Sequence, residues 1–503
     1  MKGKTEQANN GILISKQYSL KGLPRLLWNS PTYTTAGNFV VTSIKGIILY
    51  PIVLSRSNEN EVAIWLLWIS IINLSHMLDM GFVGSFSKHI SYVMGGVKSI
   101  VLYKKDFNFG QFSTGSPNWP LMEKLYSMMG LIFFGLAVIS IGILSTLGTL
   151  SVKRVILINT NISELWMAWW FIVLTIGVMI YGRKYRAILH GMNYIPLINR
   201  WNILYTLLGI VFSLFAYYIF NSIIAIIVVT QTFVMFTVIR DRYLLKYVVE
   251  DKRFSKFKKI SWSQECFWPV FSPSWRSAIS MVSAVGVVEA TGIIYAQVAN
   301  VKMLTAYLLS LRIMNVMSSI SRAPFYSKLP KYARLRAEGK IHELVNTVKR
   351  SITISLFTFV LGAISVALFI EPILVMIQAD SSFVPISLWL LMANVWFIER
   401  NHGMHAQIYG TINHEPFYIP ISITGLINIG IIVLFMNQLD VWVFPIAHGI
   451  SNLIINNWWN VKISLHSLNQ HAFKFLGSSF ILPFIVFIIL QFLVLIILGF
   501  KII

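Results

Sequence analysis

The chain has 503 residues, of which 56% are hydrophobic and only 12% charged, against roughly 25% charged in an ordinary soluble domain. That balance excludes a soluble globular fold and defines an all-α polytopic membrane protein. The net charge of +22 would point to nucleic acid in a soluble chain, but here the positions of the charges decide otherwise.

The first 36 residues carry Lys2, Lys4, Lys16, Lys21 and Arg25. They lack the apolar core and small-residue cleavage site of a secretory signal and read as a cytoplasmic tail with a short interfacial helix at 23–28. Apolar stretches follow at residues 37–54, 62–80, 125–147, 165–182, 201–220 and 223–239. After a basic loop come 278–300, 304–324, 351–370, 384–398, 417–436, 441–461 and 475–500. Each is close to the length that crosses a bilayer as a helix, which makes thirteen spans, with 384–398 short and expected to run on to about residue 409.

With the N-terminus inside, about 33 of the 41 Lys and Arg fall in inner segments and about five in outer ones. This asymmetry is what the positive-inside rule expects of a cytoplasmic N-terminus. The +22 is then topology and contact with anionic lipid, and no nucleic-acid partner is expected. The longest inner segment, 246–276, divides the chain. Its Lys252, Arg253, Lys256, Lys258 and Lys259, followed by Trp262, Phe267, Trp268 and Trp275, suit a basic aromatic segment on the inner leaflet. The organisation read from this is a tail (1–36), an N-terminal six-helix lobe (37–245), a linker (246–276), a C-terminal six-helix lobe (277–461) and an extra C-terminal helix (462–503). Two short echoes support a duplication: RAILHGMNYIP (186–196) against HAQIYGTINHEP (405–416), and SFSK (85–88) against FYSK (325–328).

Enzymatic signatures are missing: no Gly-rich phosphate loop, no G-x-S-x-G, no HExxH and no D-x-D. The longest outer connection, read as 148–164, holds no paired carboxylates. Cys266 is the single cysteine, so no disulfide forms within the chain, and neither a cofactor nor a metal site is expected. His402, His405 and His414, with Glu399 and Glu415, read as an interfacial polar loop.

Charges at bilayer depth are the informative residues, because each costs roughly 2.5–3.5 kcal/mol on insertion scales and normally faces protein or a wet cavity. Lys45 lies mid-way along the first span and either snorkels or faces a cavity; Pro51 beyond it can hinge the helix. Arg312 is too deep in the eighth span to snorkel and is expected to line a cavity or to be paired. Arg322 lies near the inner end of the same span. Glu289, in the seventh span, is either the salt-bridge partner of Arg312 or a carboxylate that takes up H⁺ or Na⁺, and the two roles are compatible. Asp79, with His76, closes the second span and reads as a polar helix end or part of a cytoplasmic gate.

Three patches, LDMGFVGSFSKHI (78–90), YRAILHGMNYIPLINRWNIL (185–204) and APFYSKLPKYARLRAEGKIHELVNTVKR (323–350), resemble the bacterial O-antigen and capsular polysaccharide flippases of the multidrug, oligosaccharidyl-lipid and polysaccharide exporter superfamily. The resemblance implies two helical lobes around a cationic central cavity. It further implies movement of undecaprenyl-pyrophosphate-linked oligosaccharide across the bacterial cytoplasmic (inner) membrane by alternating access, with polymerase and chain-length machinery as partners. The family's basic residues on the first and eighth spans match Lys45 and Arg312 by type and depth. Rival readings are a multidrug exporter or a lipid-linked peptidoglycan precursor flippase of the same superfamily, and a membrane glycan polymerase.

Overall fold

A computed structural model describes Trp28, Phe254 and residues 30–79, 81–99, 116–248, 262–411 and 417–499. The interfacial helix expected at 23–28, the Lys252–Lys259 basic cluster, His414 and Glu415 therefore lie outside the described residues, apart from Trp28.

Helices account for all the regular structure among the described residues, as the lack of water at bilayer depth requires of backbone polar groups. Thirteen are long: α1 (Pro31–Leu54), α2 (Glu59–Ser75), α4 (Trp119–Leu157), α5 (Ile162–Gly191), α6 (Ile195–Phe220), α7 (Ile223–Val248), α8 (Gln264–Val298), α9 (Val301–Tyr326), α11 (Ile341–Met376), α12 (Ile386–Gly410), α13 (Tyr418–Leu439), α14 (443–467) and α15 (Ala472–Gly499). Two short ones, α3 (Phe82–Met94) and α10 (Leu329–Ala337), follow α2 and α9. They stand where the SFSK and FYSK echo falls, so each half has a pair of spans followed by a short helix.

Local chemistry sets the ends. Asn58 and Glu61 form a capping box at the start of α2, and Asn118 and Asn300 accept from the first turns of α4 and α9. These side chains satisfy amides that a helix start leaves free. Asn193, Asn221 and Asp440 adopt positive φ at the α5–α6, α6–α7 and α13–α14 corners.

Two lengths differ from the sequence reading. Residues 149–157 continue α4 beyond a π-type turn at Leu144–Gly148, which shortens the supposed outer loop to residues 158–161. The ring of Trp169 packs on Gly148, and its Nε1 donates to Thr149 Oγ1 at 3.0 Å, so tertiary contact carries the helix through a polar stretch. Likewise α8 begins at Gln264, so Phe267, Trp268 and Trp275 ride on a helix that also holds Pro269 and Pro273.

The first six spans pack as one lobe and the next six as a second, with α15 against α11. Reciprocal amide bonds between Asn394 and Gln491, at 2.9 and 3.1 Å, tie α15 to α12. Large apolar side chains such as Leu361, Leu426, Val433 and Phe492 are exposed on the outside, as lipid contact requires. The lobes touch along α1, α2, α8 and α9. At one face, that of the α2–α3 and α5–α6 connections with Lys88, Arg183, Lys184 and Arg186 (the basic face), Ser85 Oγ donates to Val270 O at 2.8 Å and Phe82 packs on Phe271. At the opposite face Arg154 Nη1 donates to Ala296 O at 3.3 Å and Gln297 Nε2 to Ser151 O at 3.0 Å.

Gly81 makes the basic-face contact possible: its φ is +68°, and a Cβ there would stand 2.7 Å from Ser277 Cβ. Gly81→Ala is expected to cost at least about 1–2 kcal/mol from backbone conformation alone. A lowered melting temperature of the detergent-purified protein checks this, with Gly84→Ala, where a Cβ meets nothing within 4 Å, as the neutral control.

Candidate functional site

Where α2, α8 and α9 meet, Arg312 Nη2 lies 2.8 Å from Glu289 Oε2, and Nη1 donates to Oε1 at 3.3 Å. Two amides complete the carboxylate's shell: Asn73 Nδ2 donates at 3.1 Å and Asn315 Nδ2 at 3.2 Å, both to Oε1. Ser70 Oγ accepts from Arg312 Nη2. Arg312 and Glu289 are 1% and 5% exposed, so both charges are withdrawn from water and answered by each other.

The chain places these groups by helical spacing. Ser70 and Asn73 are three apart on α2, and Arg312 and Asn315 three apart on α9, so each pair shares a helix face. Gly292, one turn from Glu289, brings α8 close: a Cβ there would meet Leu308 at 2.6 Å and Ser70 Oγ at 3.3 Å. Ser70 and Asn73 belong to the N-terminal lobe, and Glu289, Arg312 and Asn315 to the C-terminal lobe. The cluster is a polar joint between the two. Thr291 and Tyr307 share a 2.7 Å hydrogen bond beside it.

A second feature lies within the N-terminal lobe. A cavity of about 370 Å³ between α1, α2, α5, α6 and α7 is lined by Lys45, Arg183, Arg186, Asp241, Asn38 and Asn202, with Tyr205, Phe233 and several threonines. Asp79 holds Arg183 at 2.7 Å, and Arg183 also donates to His76 O at 2.7 Å. Asp241 stands between Arg186, at 3.3 Å, and Arg240, at 2.5 Å. Lys45 has no hydrogen bond or ion pair among the described residues. Three cations, Lys45, Arg183 and Arg186, thus line the cavity with one carboxylate, Asp241, and the surplus of positive charge faces a space lined by hydroxyls, amides and aromatic rings.

Of the residues singled out by sequence, Glu289 and Arg312 are brought together. Lys45 and Asp79 are associated with the separate N-lobe cavity, Lys45 as a lining residue and Asp79 through Arg183. The joint and cavity are still neighbours, since α1 packs on α9 with Gly46 against Val316. Arg322 lies on α9 beyond the joint, next to Arg400 of α12. Asp79 is an ion-paired, buried group and not a bare polar helix end.

His402 and His405 correct the expectation of an interfacial loop: both are buried on α12, bonded to Asn460 and Ser464 of α14 at 3.3 and 3.1 Å. The polar face of α14 turns them inward. Glu399 pairs with His448 at 3.0 Å. Sequence reasoning passed over Arg183, Arg186 and Asp241 because they sit among the basic residues that set topology. A signal was present in Asp241, a lone acid between Arg240 and Arg242.

Fold and site together define a multi-pass, two-lobed helical membrane protein with a buried interlobe charge pair and a cationic cavity. Its fold is like that of solved transporters, among them ones described as members of the MOP superfamily. It is similar to the lipid II flippase MurJ in an inward closed conformation (TM-score 0.59, 12% identity, 93% of this chain and 97% of that one). It is similar to an inward-facing multidrug resistance MATE family transporter of that superfamily (0.59, 12%, 88% and 96%), and to the MATE multidrug transporter DinF-BH (0.58, 14%, 88% and 95%). At these identities the likeness is one of fold. No family model and no curated protein matches the sequence.

Removing one partner of a buried ion pair strands the other, at a cost of about 3–5 kcal/mol, whereas replacing both is far milder. Arg312→Met and Glu289→Gln are each expected to lower the melting temperature of the purified protein, and the double variant to recover most of the loss. A double-variant cycle by thermal unfolding measures it; additive losses would show the pair to be uncoupled.

Proposed function

We propose that the protein is a flippase for undecaprenyl-pyrophosphate-linked oligosaccharide repeat units, working by alternating access of its two lobes during surface polysaccharide assembly. The observation that carries this reading is the surplus of cations around the N-lobe cavity, with Lys45, unpaired among the described residues, in its lining. A diphosphate headgroup with attached sugars is large, polar and anionic. Its passage needs fixed positive charge, which raises the local concentration of an anion, and hydrogen-bonding groups with aromatic surfaces for the sugars. A cationic drug would meet repulsion in the same space, so the multidrug reading is disfavoured.

The interlobe joint supplies the other half of the mechanism. A diphosphate that reaches Arg312 competes with Glu289 for the guanidinium. The pair opens, and the contacts between α2, α8 and α9 lose the charge pairing that holds them. The freed carboxylate then takes up H⁺ or Na⁺ before the lobes close again, which makes Glu289 the coupling group. Lys45, Arg312 and Arg322 are the proposed substrate-binding cations, and Asp79 orients Arg183 at the cavity. In this reading the basic face is cytoplasmic, the N-terminus lies inside, and the protein resides in the bacterial cytoplasmic membrane beside polymerase and chain-length machinery. No step of covalent chemistry is involved.

A lipid-linked peptidoglycan precursor is the second reading, supported by the fold likeness to MurJ across nearly the whole of both chains, because it presents the same diphosphate with a different glycan.

In proteoliposomes, the protein is expected to move a fluorescent polyprenyl-diphosphate oligosaccharide between leaflets, and Lys45→Gln to slow this at least tenfold at equal protein. Faster movement of lipid II than of the oligosaccharide would select the second reading, and unchanged rates in Lys45→Gln would remove the cavity from the path. Glu289→Gln is expected to flip lipid without responding to a proton or sodium gradient; a wild-type gradient response in that variant would exclude Glu289 as the coupling group.

A further inference from the structure

Arg322 and Arg400 lie on α9 and α12, which pack on each other in the C-terminal lobe, and are within electrostatic reach of one another. Arg400 is 6% exposed. Neither makes a hydrogen bond or ion pair among the described residues, and the Nε of each is buried without an acceptor. Glu399, adjacent in sequence to Arg400, does not answer it, because its carboxylate is turned to His448 at 3.0 Å. Ser318, one turn before Arg322 on the same face of α9, has a buried hydroxyl that is also unpartnered, as is the Oδ1 of Asn401.

Arg312, Arg240 and Arg336 also leave one buried nitrogen without an acceptor, but each of them is answered through its other nitrogens. Arg312, Arg183 and Arg240 each hold a carboxylate. Arg336, with no carboxylate, donates to the Ser467 and Ile408 carbonyls at 3.3 and 3.5 Å. A buried cation such as Arg400 with neither kind of partner is costly, and the half-buried Arg322 nearby adds repulsion. Buried polar groups are almost always satisfied by protein, water or ligand, and a guanidinium's planar fork matches the oxygens of a phosphate.

We propose that Arg322 and Arg400, with the Ser318 hydroxyl, form a second anion-binding site, in the C-terminal lobe, that takes a phosphate or diphosphate group. On the flippase reading, this site would receive the same headgroup on the C-lobe side of the path, so that each lobe presents its own cations to the diphosphate. The site's chemistry rests on the two unpaired guanidiniums alone; only the identity of the lipid depends on that reading.

The test uses the purified full-length protein in detergent, with inorganic pyrophosphate in one arm and undecaprenyl diphosphate in mixed micelles in the other, at constant ionic strength set with sodium chloride. Ligand that binds the folded state raises the melting temperature, so affinity is read from the concentration dependence of that shift. Wild type is expected to be stabilised, and Arg322→Gln/Arg400→Gln to bind at least tenfold more weakly. Arg400→Gln without ligand is expected to melt no lower than wild type, since it removes an unanswered charge. Arg400→Lys, which keeps the charge and loses the fork, is expected to fold and bind several-fold more weakly, and stands in if the glutamine variants do not fold.

Response to pyrophosphate alone would identify a free phosphate as ligand, and response to the lipid a headgroup; either supports the site. The proposal is overturned by wild type that responds in neither arm, or by binding that Lys45→Gln abolishes and the double variant leaves intact. A loss of stability in Arg400→Gln with unaltered affinity likewise overturns it in favour of a structural arginine. Binding that is intact in a protein that moves no lipid-linked oligosaccharide would end the transport reading while supporting this site.

Discussion

The buried pair of Arg312 and Glu289 is the interaction on which the arrangement of the two lobes depends. Neither charge can stay at bilayer depth alone, so α8 and α9 must keep them together. Ser70 and Asn73 then draw α2 of the other lobe onto the same cluster. The price of burial is largely met because the carboxylate and the guanidinium both find additional partners, although the Arg312 Nε is left without one among the described residues. A joint of this kind is strong when closed and sensitive to a competing anion, which suits the alternating access proposed for the two lobes.

Charge is distributed unevenly between the lobes. The N-terminal lobe gathers its cations around an open cavity and partly neutralises them with Asp79 and Asp241. Among the described residues the C-terminal lobe leaves Arg322 and Arg400 without an acidic partner, beside a seam of Glu399, His402, His405, His448 and the asparagines of α14. The two halves thus share an arrangement of helices without sharing a charge pattern, and the echoes in the sequence follow the helices. The SFSK segment lies within the first short helix, and FYSK spans the turn into the second.

Much of the fold was legible in the chain. Thirteen apolar stretches gave thirteen long helices, because a span must be apolar over about 20 residues and a bilayer offers its backbone no other partner. Helix ends were legible only where they coincide with the membrane edge. Residues 149–157 and 264–276 are polar or broken by proline, and they are helical because Trp169 and the facing helices hold them. Composition cannot register such contacts. The site was half legible: burial cost singled out Glu289, Arg312 and Lys45, whereas Arg183, Arg186 and Asp241 were hidden among basic residues that any membrane protein of this orientation would carry.

The sequence by itself determined the class of protein, the thirteen long helices among the described residues and the residues whose charge is out of place in a membrane, since each follows from the free energy of putting a residue type into lipid. Only the tertiary structure decided which charge answers which. Glu289 lies 23 positions from Arg312 and Asp241 55 from Arg186, and nothing in the linear chain distinguishes these pairings from others of similar separation. Helix packing, set by glycines such as Gly81 and Gly292, brings particular faces together. It leaves Lys45 facing a cavity and Arg312 sealed against a carboxylate, although both entered the chain as one kind of residue at one kind of depth.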